Sequence, residues 1–203
     1  KSRLDLEGKV AIPFIGDVPT SDTPNELIQS GSRTSSAEAL RIIRTNLEFM
    51  LAKVTEGQAK TIFVTSTFPK EGKTFISVNL AATFALSGKK VLIIGMDIRN
   101  PRLDEYLTIP ERGFTNYLSS NDLKIEDLIV KYDGFEDLHV LPAGVIPPNP
   151  AELLMSKKVD ALFHTLKSQY DYIVVDTAPV SLVTDTLLIA KHADPFIYVA
   201  RAN

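Results

Sequence analysis

The sequence predicts an α/β domain: a parallel sheet with helices on both faces. Three observations carry this. Short apolar, β-branched runs recur along the 203 residues, at 61–65, 91–94, 138–141, 172–175 and 196–199. Helical patterns lie between them, notably at 73–87, 157–170 and 182–192. The strand runs are apolar throughout rather than alternating, which is the mark of strands buried on both faces. A composition of 44% hydrophobic and 23% charged residues is enough for one sizeable core.

Taken in order, residues 1–34 show no sustained periodicity and hold Pro13, Pro19 and Pro24. Positions 10–19 read as a short strand or an extended arm, and the rest of this stretch as linker. The first helix then starts cleanly. Ser35-Ser-Ala-Glu38 fits a capping box, with Ser35 as N-cap and Glu38 reaching back. Leu40, Ile43, Leu47, Met50, Leu51 and Val54 form one apolar stripe at helical spacing, and Gly57 is a plausible stop. After it strands and helices alternate, with Gly88 ending the second helix. The economical division is an arm, 1–34, and one domain, 35–203.

Composition also excludes. There are no cysteines, hence no disulfide scaffold and no Cys-based zinc site. A net charge of −3 argues against a nucleic-acid platform. His139, His164 and His192 are scattered and read as surface or core side chains. No signal peptide is visible at the start of the sequence. The longest apolar run, 91–96, is far short of the roughly 20 residues that span a bilayer. The expectation is a soluble chain in the cytoplasm.

The chemistry concentrates at Thr65-Ser-Thr-Phe-Pro-Lys-Glu-Gly-Lys-Thr74, which leaves a strand and opens a helix. Gly72-Lys73-Thr74 matches the end of the G-x-x-x-x-G-K-[ST] loop. Gly72 lets the backbone approach phosphates, and the free N–H groups and dipole of the helix start favour an anion. Lys73 puts a positive charge on the β/γ-phosphates, and the Thr74 hydroxyl suits magnesium. Thr67 stands where the strict motif has its first glycine. Asp176 ends the run 172–175 and Asp97 follows the run 91–94. Both lie at the carboxyl edge of the sheet, where open α/β sheets bind ligands. The expected ligand is ATP or ADP with Mg2+.

These residues resemble the cytoplasmic catalytic domain of the bacterial tyrosine kinases (BY-kinases) of capsule and exopolysaccharide export, over almost the whole chain. The loop 66–74 is similar to the family's Walker A motif, which tolerates a non-Gly start. Val91-Leu-Ile-Ile-Gly-Met-Asp97-Ile-Arg99-Asn-Pro101 resembles the additional A′ motif. Tyr170-Asp-Tyr-Ile-Val-Val-Asp176 resembles Walker B, with Asp185 in the Val-Thr-Asp that follows. Asn149-Pro-Ala-Glu-Leu-Leu154 resembles a family loop-helix start. Glu38-Ala-Leu-Arg41-Ile-Ile-Arg44 matches the E-x-x-R-x-x-R motif.

The resemblance implies a P-loop NTPase-like fold and transfer of the ATP γ-phosphoryl group to tyrosines in a neighbouring subunit's C-terminal tail. Lys73, Asp97 and Asp176 would be catalytic, and Thr74, Asp97 and Asp176 would hold Mg2+. Thr67, Pro69, Lys70, Glu71, Gly72, Lys73 and Thr74 would bind the phosphates, with Arg201 near the adenine. Glu38, Arg41 and Arg44 would build a ring-like homo-oligomer. The pattern alone also allows a solvated helix face laced by i,i+3 and i,i+4 ion pairs. Further partners implied are a transmembrane chain-length-regulator module, in the same or a partner chain, and a tyrosine phosphatase. The place implied is the cytoplasmic face of the bacterial inner membrane.

Two departures bear on this reading. The A′ motif of the family has two aspartates two residues apart, and here the first is Gly95, which leaves the base to Asp97 or the catalysis weak. The family also carries a final strand, a helix and a tyrosine cluster after the point where this sequence stops. Tyr106, Tyr117, Tyr132, Tyr170, Tyr172 and Tyr198 are dispersed, with packing roles expected for Tyr172 and Tyr198. A substrate tail is therefore expected to be missing. Two alternatives stand beside the kinase. One is a partitioning-type switch ATPase, disfavoured because Phe68 occupies the place of that family's signature lysine. The other is a nucleotide-binding scaffold with weak catalysis.

Overall fold

The structure, a computed structural model, describes residue 5 and residues 9–54, 56–181 and 184–202. The strands are β1 (Lys60–Ser66), β2 (Val91–Gly95), β3 (Val130–Lys131), β4 (Leu138–Leu141), β5 (Tyr172–Asp176) and β6 (Phe196–Val199). The helices are α1 (Ser35–Met50), α2 (Lys73–Leu86), α3 (Phe114–Ser119), α4 (Pro150–Leu154), α5 (Lys157–Leu166) and α6 (Asp185–Ile189). The strand order is β3-β4-β2-β5-β1-β6. All pairings are parallel except β3 with β4. That antiparallel edge was not expected, because two residues ending on an exposed lysine carry no apolar run.

The pleat divides the core into two layers. Ile62, Val64, Val91, Ile93 and Val174 face α1 and α2, where they meet Leu40, Ile43, Leu80 and Phe84. Phe63, Leu92, Ile94, Ile173 and Val175 face the other way, onto Phe114, Val159, Leu162 and Phe163. Burial on both faces is the reason these strands read as unbroken apolar runs. Tyr172 stacks on Phe84 with ring centroids 3.9 Å apart, the packing role expected for it. Tyr198 departs from that expectation. It lies on the edge strand β6 and is half exposed.

Helix ends differ from the sequence reading in instructive ways. The N-cap of α1 is Thr34, not Ser35: its hydroxyl accepts from the Ala37 N–H at 3.2 Å. Glu38 does not reach back but takes the Arg41 guanidinium at 2.5 Å. The helix ends at Met50, well before Gly57, and Met50 is exposed rather than part of the buried stripe. By contrast Gly88, at φ 86°, does close α2. Its N–H bonds to Ala85 O and that of Lys89 to Phe84 O, a Schellman motif. Helix α5 stops at Leu166 instead of 170, with Lys167 as its C-cap and the Lys167 carbonyl accepting from the Ala59 N–H. The helix expected over 182–192 is α6 followed by a 3-10 turn, Ala190–His192; residues 182 and 183 lie outside the described residues.

Residues 10–19 form no strand. The segment is pinned to α1 where the Asn46 side-chain amide donates to Ile15 O. Ile28, in the stretch read as linker, is fully buried. Its N–H donates to Asn79 Oδ1, and Asn79 Nδ2 returns a bond to Glu26 O.

Candidate active site

Sheet register creates the site. Strand β5 runs between β1 and β2, with Asp176 aligned to Val64 on one side and Gly95 on the other. The loops leaving β1 and β2 therefore flank the Asp176 carboxylate. The Asp176 carbonyl accepts from both the Met96 and Asp97 N–H groups, at 2.8 and 3.0 Å, which fixes Asp97 beside it. Three segments far apart in sequence thus converge at the carboxyl edge of the sheet.

The phosphate loop, 66–74, carries two left-handed residues, Lys70 at φ 66° and Gly72 at φ 93°. Such a conformation is strained at a lysine and free at a glycine. It turns successive N–H groups toward one point, an anion-binding concavity. Among the described residues, the N–H groups of Gly72, Lys73, Thr74 and Phe75 have no acceptor, as the first N–H groups of a helix must. A Cβ on Gly72 would meet nothing within 4 Å, so the glycine serves the backbone conformation. Inside the loop, Glu71 Oε2 accepts from the Phe68 N–H at 2.8 Å. The Thr67 carbonyl is tied to Ser181, and Pro69 is exposed at the tip. Arg201 lies against the loop, with its guanidinium 3.3 Å from Lys70 O.

At the centre Lys73 Nζ sits 3.2 Å from Asp176 Oδ1 and 3.7 Å from Asp97 Oδ2. Thr74 Oγ1 donates to Asp176 Oδ2 at 3.0 Å. All four side chains are buried. Burial pushes the Asp97 carboxyl above its ordinary pKa, against the opposing pull of Lys73. Asp97 Oδ1 accepts from the Asn100 N–H at 3.1 Å, leaving Oδ2 for other work.

The donors Thr74 Oγ1 and Asp176 Oδ2, with the Asp97 carboxylate nearby across Lys73, are hard oxygens at the mouth of an anion-binding helix start, and they fit Mg2+ with a nucleotide phosphate. Among the described residues no group of three His, Cys, Asp or Glu side chains could hold a metal ion alone. An ion here would complete its shell from phosphate and water, as magnesium usually does.

Two features escaped the sequence reading. Ser77 Oγ lies 2.9 Å from Asp176 Oδ1; the only signal for it was its place four residues after Lys73. Arg99 grips Asp185 with two hydrogen bonds, a pairing no local pattern announces. Glu38, Arg41 and Arg44 lie on α1, away from this site. Arg41 bonds to Glu38 and to Ser32 O. Arg44 reaches Thr83 O at 3.2 Å and stands 4.0 Å from Glu48. The expected i,i+3 and i,i+4 pairs therefore both form.

Residues 59–199 match a family described as an AAA domain. The chain is 37% identical to CapB of Staphylococcus aureus over 159 residues, 78% of this chain and 68% of that one. It is 33% identical to the tyrosine-protein kinase Etk of Escherichia coli over 82% of this chain. The solved kinase domain of Etk superposes with a TM-score of 0.82 at 29% identity, covering 94% of this chain and 79% of that one. The chain belongs to the bacterial tyrosine kinase family. The solved chimerical protein CapA2B2 is another structural neighbour, with a TM-score of 0.85 and 32% identity over 97% of this chain and 84% of that one. The family's kinase domains share the P-loop fold seen here, six mostly parallel strands with helices, a fold that binds nucleotide with Mg2+. The chain spans 22% of the full length of Etk. Among the described residues no helix is long and apolar enough to cross a membrane.

Proposed function

We propose that this domain transfers the γ-phosphoryl group of ATP to tyrosines in the tail of a neighbouring subunit and so regulates capsule or exopolysaccharide synthesis and export. One observation carries the reading: Lys73 is held between Asp97 and Asp176 at the start of α2, with Thr74 on the second oxygen of Asp176.

Bound Mg-ATP supplies the phosphoryl group and neutralises charge on it. The roles of the chain follow from its geometry. Gly72 to Phe75 and Lys73 hold the phosphates, and Thr74 with Asp176 holds the ion, with Asp97 nearby. Thr67, Pro69, Lys70 and Glu71 shape the loop, and Arg201, which bonds to the Lys70 carbonyl, is assigned to the adenine side. Position 95 has no carboxylate, so Asp97 is the base. Its Oδ2 takes the phenolic proton as the tyrosine oxygen bonds to phosphorus and ADP leaves. Positioning and electrostatics provide most of the acceleration in such reactions.

The exposed side of Glu38 and the partly exposed Arg41 and Arg44 support a head-to-tail contact that brings one subunit's tail to the next subunit's site. The partners in this reading are a membrane-spanning chain-length-regulator module and a tyrosine phosphatase, at the cytoplasmic face of the inner membrane.

The deciding experiment incubates the chain with Mg-ATP and a tyrosine-rich peptide or a full-length tail, and locates phosphate by mass spectrometry. Phosphotyrosine formed by the unaltered chain and absent with Lys73→Met supports the kinase. Nucleotide binding without any transfer rejects it and leaves the switch ATPase or the scaffold, which the rate of ATP hydrolysis then separates.

A further inference from the structure

We infer that Ser77 is a positioning residue for the Asp176 carboxylate in Mg2+-nucleotide binding. The inference rests on the nucleotide-binding reading above. The two oxygens of Asp176 are differently held. Oδ2 receives the Thr74 hydroxyl at 3.0 Å, on the side where a metal would sit. Oδ1 receives Lys73 Nζ at 3.2 Å and the Ser77 hydroxyl at 2.9 Å. Ser77 and Asp176 are both buried, so water does not stand in for a lost donor.

The two donors on Oδ1 are not equivalent. Lys73 is at the end of a flexible stem, already shared with Asp97, and a nucleotide's phosphates draw its ammonium away from the carboxylates. Ser77 is one helical turn further along α2, with no such rival ligand, and stays. Its hydroxyl has a single proton and two acceptors within reach, Asp176 Oδ1 and Lys73 O, both at 2.9 Å. Back-bonding to the carbonyl four residues earlier is the ordinary habit of a helical serine. The ionised carboxylate is the stronger acceptor. As Lys73 turns to phosphate, Ser77 remains the donor that keeps Oδ1 turned inward and Oδ2 toward the metal side.

The test uses the full chain, Ser77→Ala and Ser77→Thr, with the fluorescent nucleotide mant-ADP as probe, titrated across MgCl2 concentrations and in EDTA. Ser77→Ala should raise the MgCl2 concentration for half-maximal binding by about tenfold, the scale of a lost charged hydrogen bond. Its mant-ADP affinity in EDTA should match that of the unaltered chain, which also reports an intact fold. Ser77→Thr, which keeps the hydroxyl, should restore the magnesium dependence. An unchanged magnesium midpoint in Ser77→Ala would overturn the proposal. So would an equal loss of affinity with and without magnesium, which is what a packing defect gives. If the unaltered chain binds no mant-ADP at any MgCl2 concentration, the nucleotide reading fails and takes this inference with it.

Discussion

The Arg99 guanidinium closes on the Asp185 carboxylate with two arms, Nε to Oδ2 at 2.7 Å and Nη2 to Oδ1 at 3.1 Å. Asp185 is buried at the start of α6, while Arg99 is 42% exposed and follows β2 by four residues. The pair ties the loop that carries Asp97 to the helix after β5. Removing the cation strands a buried carboxylate. Arg99→Ala should therefore cost about 1–3 kcal/mol, read as a lowered denaturant midpoint. Arg99→Lys should recover only part of this, because an ammonium cannot offer the two-pronged fork.

Lys73→Met and Asp97→Asn should both abolish tyrosine phosphorylation yet move stability in opposite directions. Lys73 faces two buried carboxylates, and losing it should destabilise by about 3–5 kcal/mol. Asp97 has a folded-state pKa above its ordinary value because of burial. The folded chain thus holds that proton more tightly than the unfolded chain. The stability so gained at acid pH is lost as pH rises through the folded pKa. At neutral pH the ionised Asp97 is a cost, and Asp97→Asn should raise Tm. The gain should shrink toward acid pH, where Asp97 is protonated in both states. An Asp97→Asn chain less stable than the unaltered one at neutral pH would contradict this account.

The same raised pKa predicts the acid limb of activity. If Asp97 takes the phenolic proton, kcat/KM for a tyrosine peptide should fall on acidification with an apparent pKa above that of an ordinary aspartate. A limb at or below the ordinary aspartate value would remove Asp97 from that role.

Restoring the family's first A′ aspartate should not help. A Cβ at position 95 would stand 3.0 Å from the Ala143 nitrogen and 3.1 Å from Leu103 Cδ1. Gly95→Asp forces a backbone or side-chain shift in a buried strand, at a cost of about 1–3 kcal/mol. Its phosphotyrosine yield should stay at or below that of the unaltered chain. A large gain would favour the scaffold reading of the native sequence.

Local pattern was enough for what local physics decides. The two-sided burial of β1, β2 and β5 wrote itself into unbroken apolar runs, and the phosphate loop showed as strand, turn and Gly72-Lys73-Thr74. Asp97 and Asp176 could be named because strand ends share one edge of a parallel sheet. Helix termini were less legible. Thr34 and Ser35 are both competent caps, and the choice fell to Thr34, whose hydroxyl also meets the Glu26 carboxylate eight residues upstream. At the end of α5 the Lys167 carbonyl, which the helix leaves free, is taken by the N–H of Ala59, more than 100 residues away.

By itself, then, the sequence determined the α/β class, the phosphate loop and the identity of the charged residues around it, because each rests on periodicity or on a motif within ten or so residues. Only the tertiary structure decided the strand order that puts β5 between β1 and β2, and with it the sharing of Lys73 between two carboxylates, the Ser77 contact to Asp176 and the Arg99–Asp185 pair. Those contacts join residues that lie far apart in the chain, 103 positions in the case of Lys73 and Asp176; they are set by sheet register and burial, and no local preference encodes which distant strand end will be the neighbour.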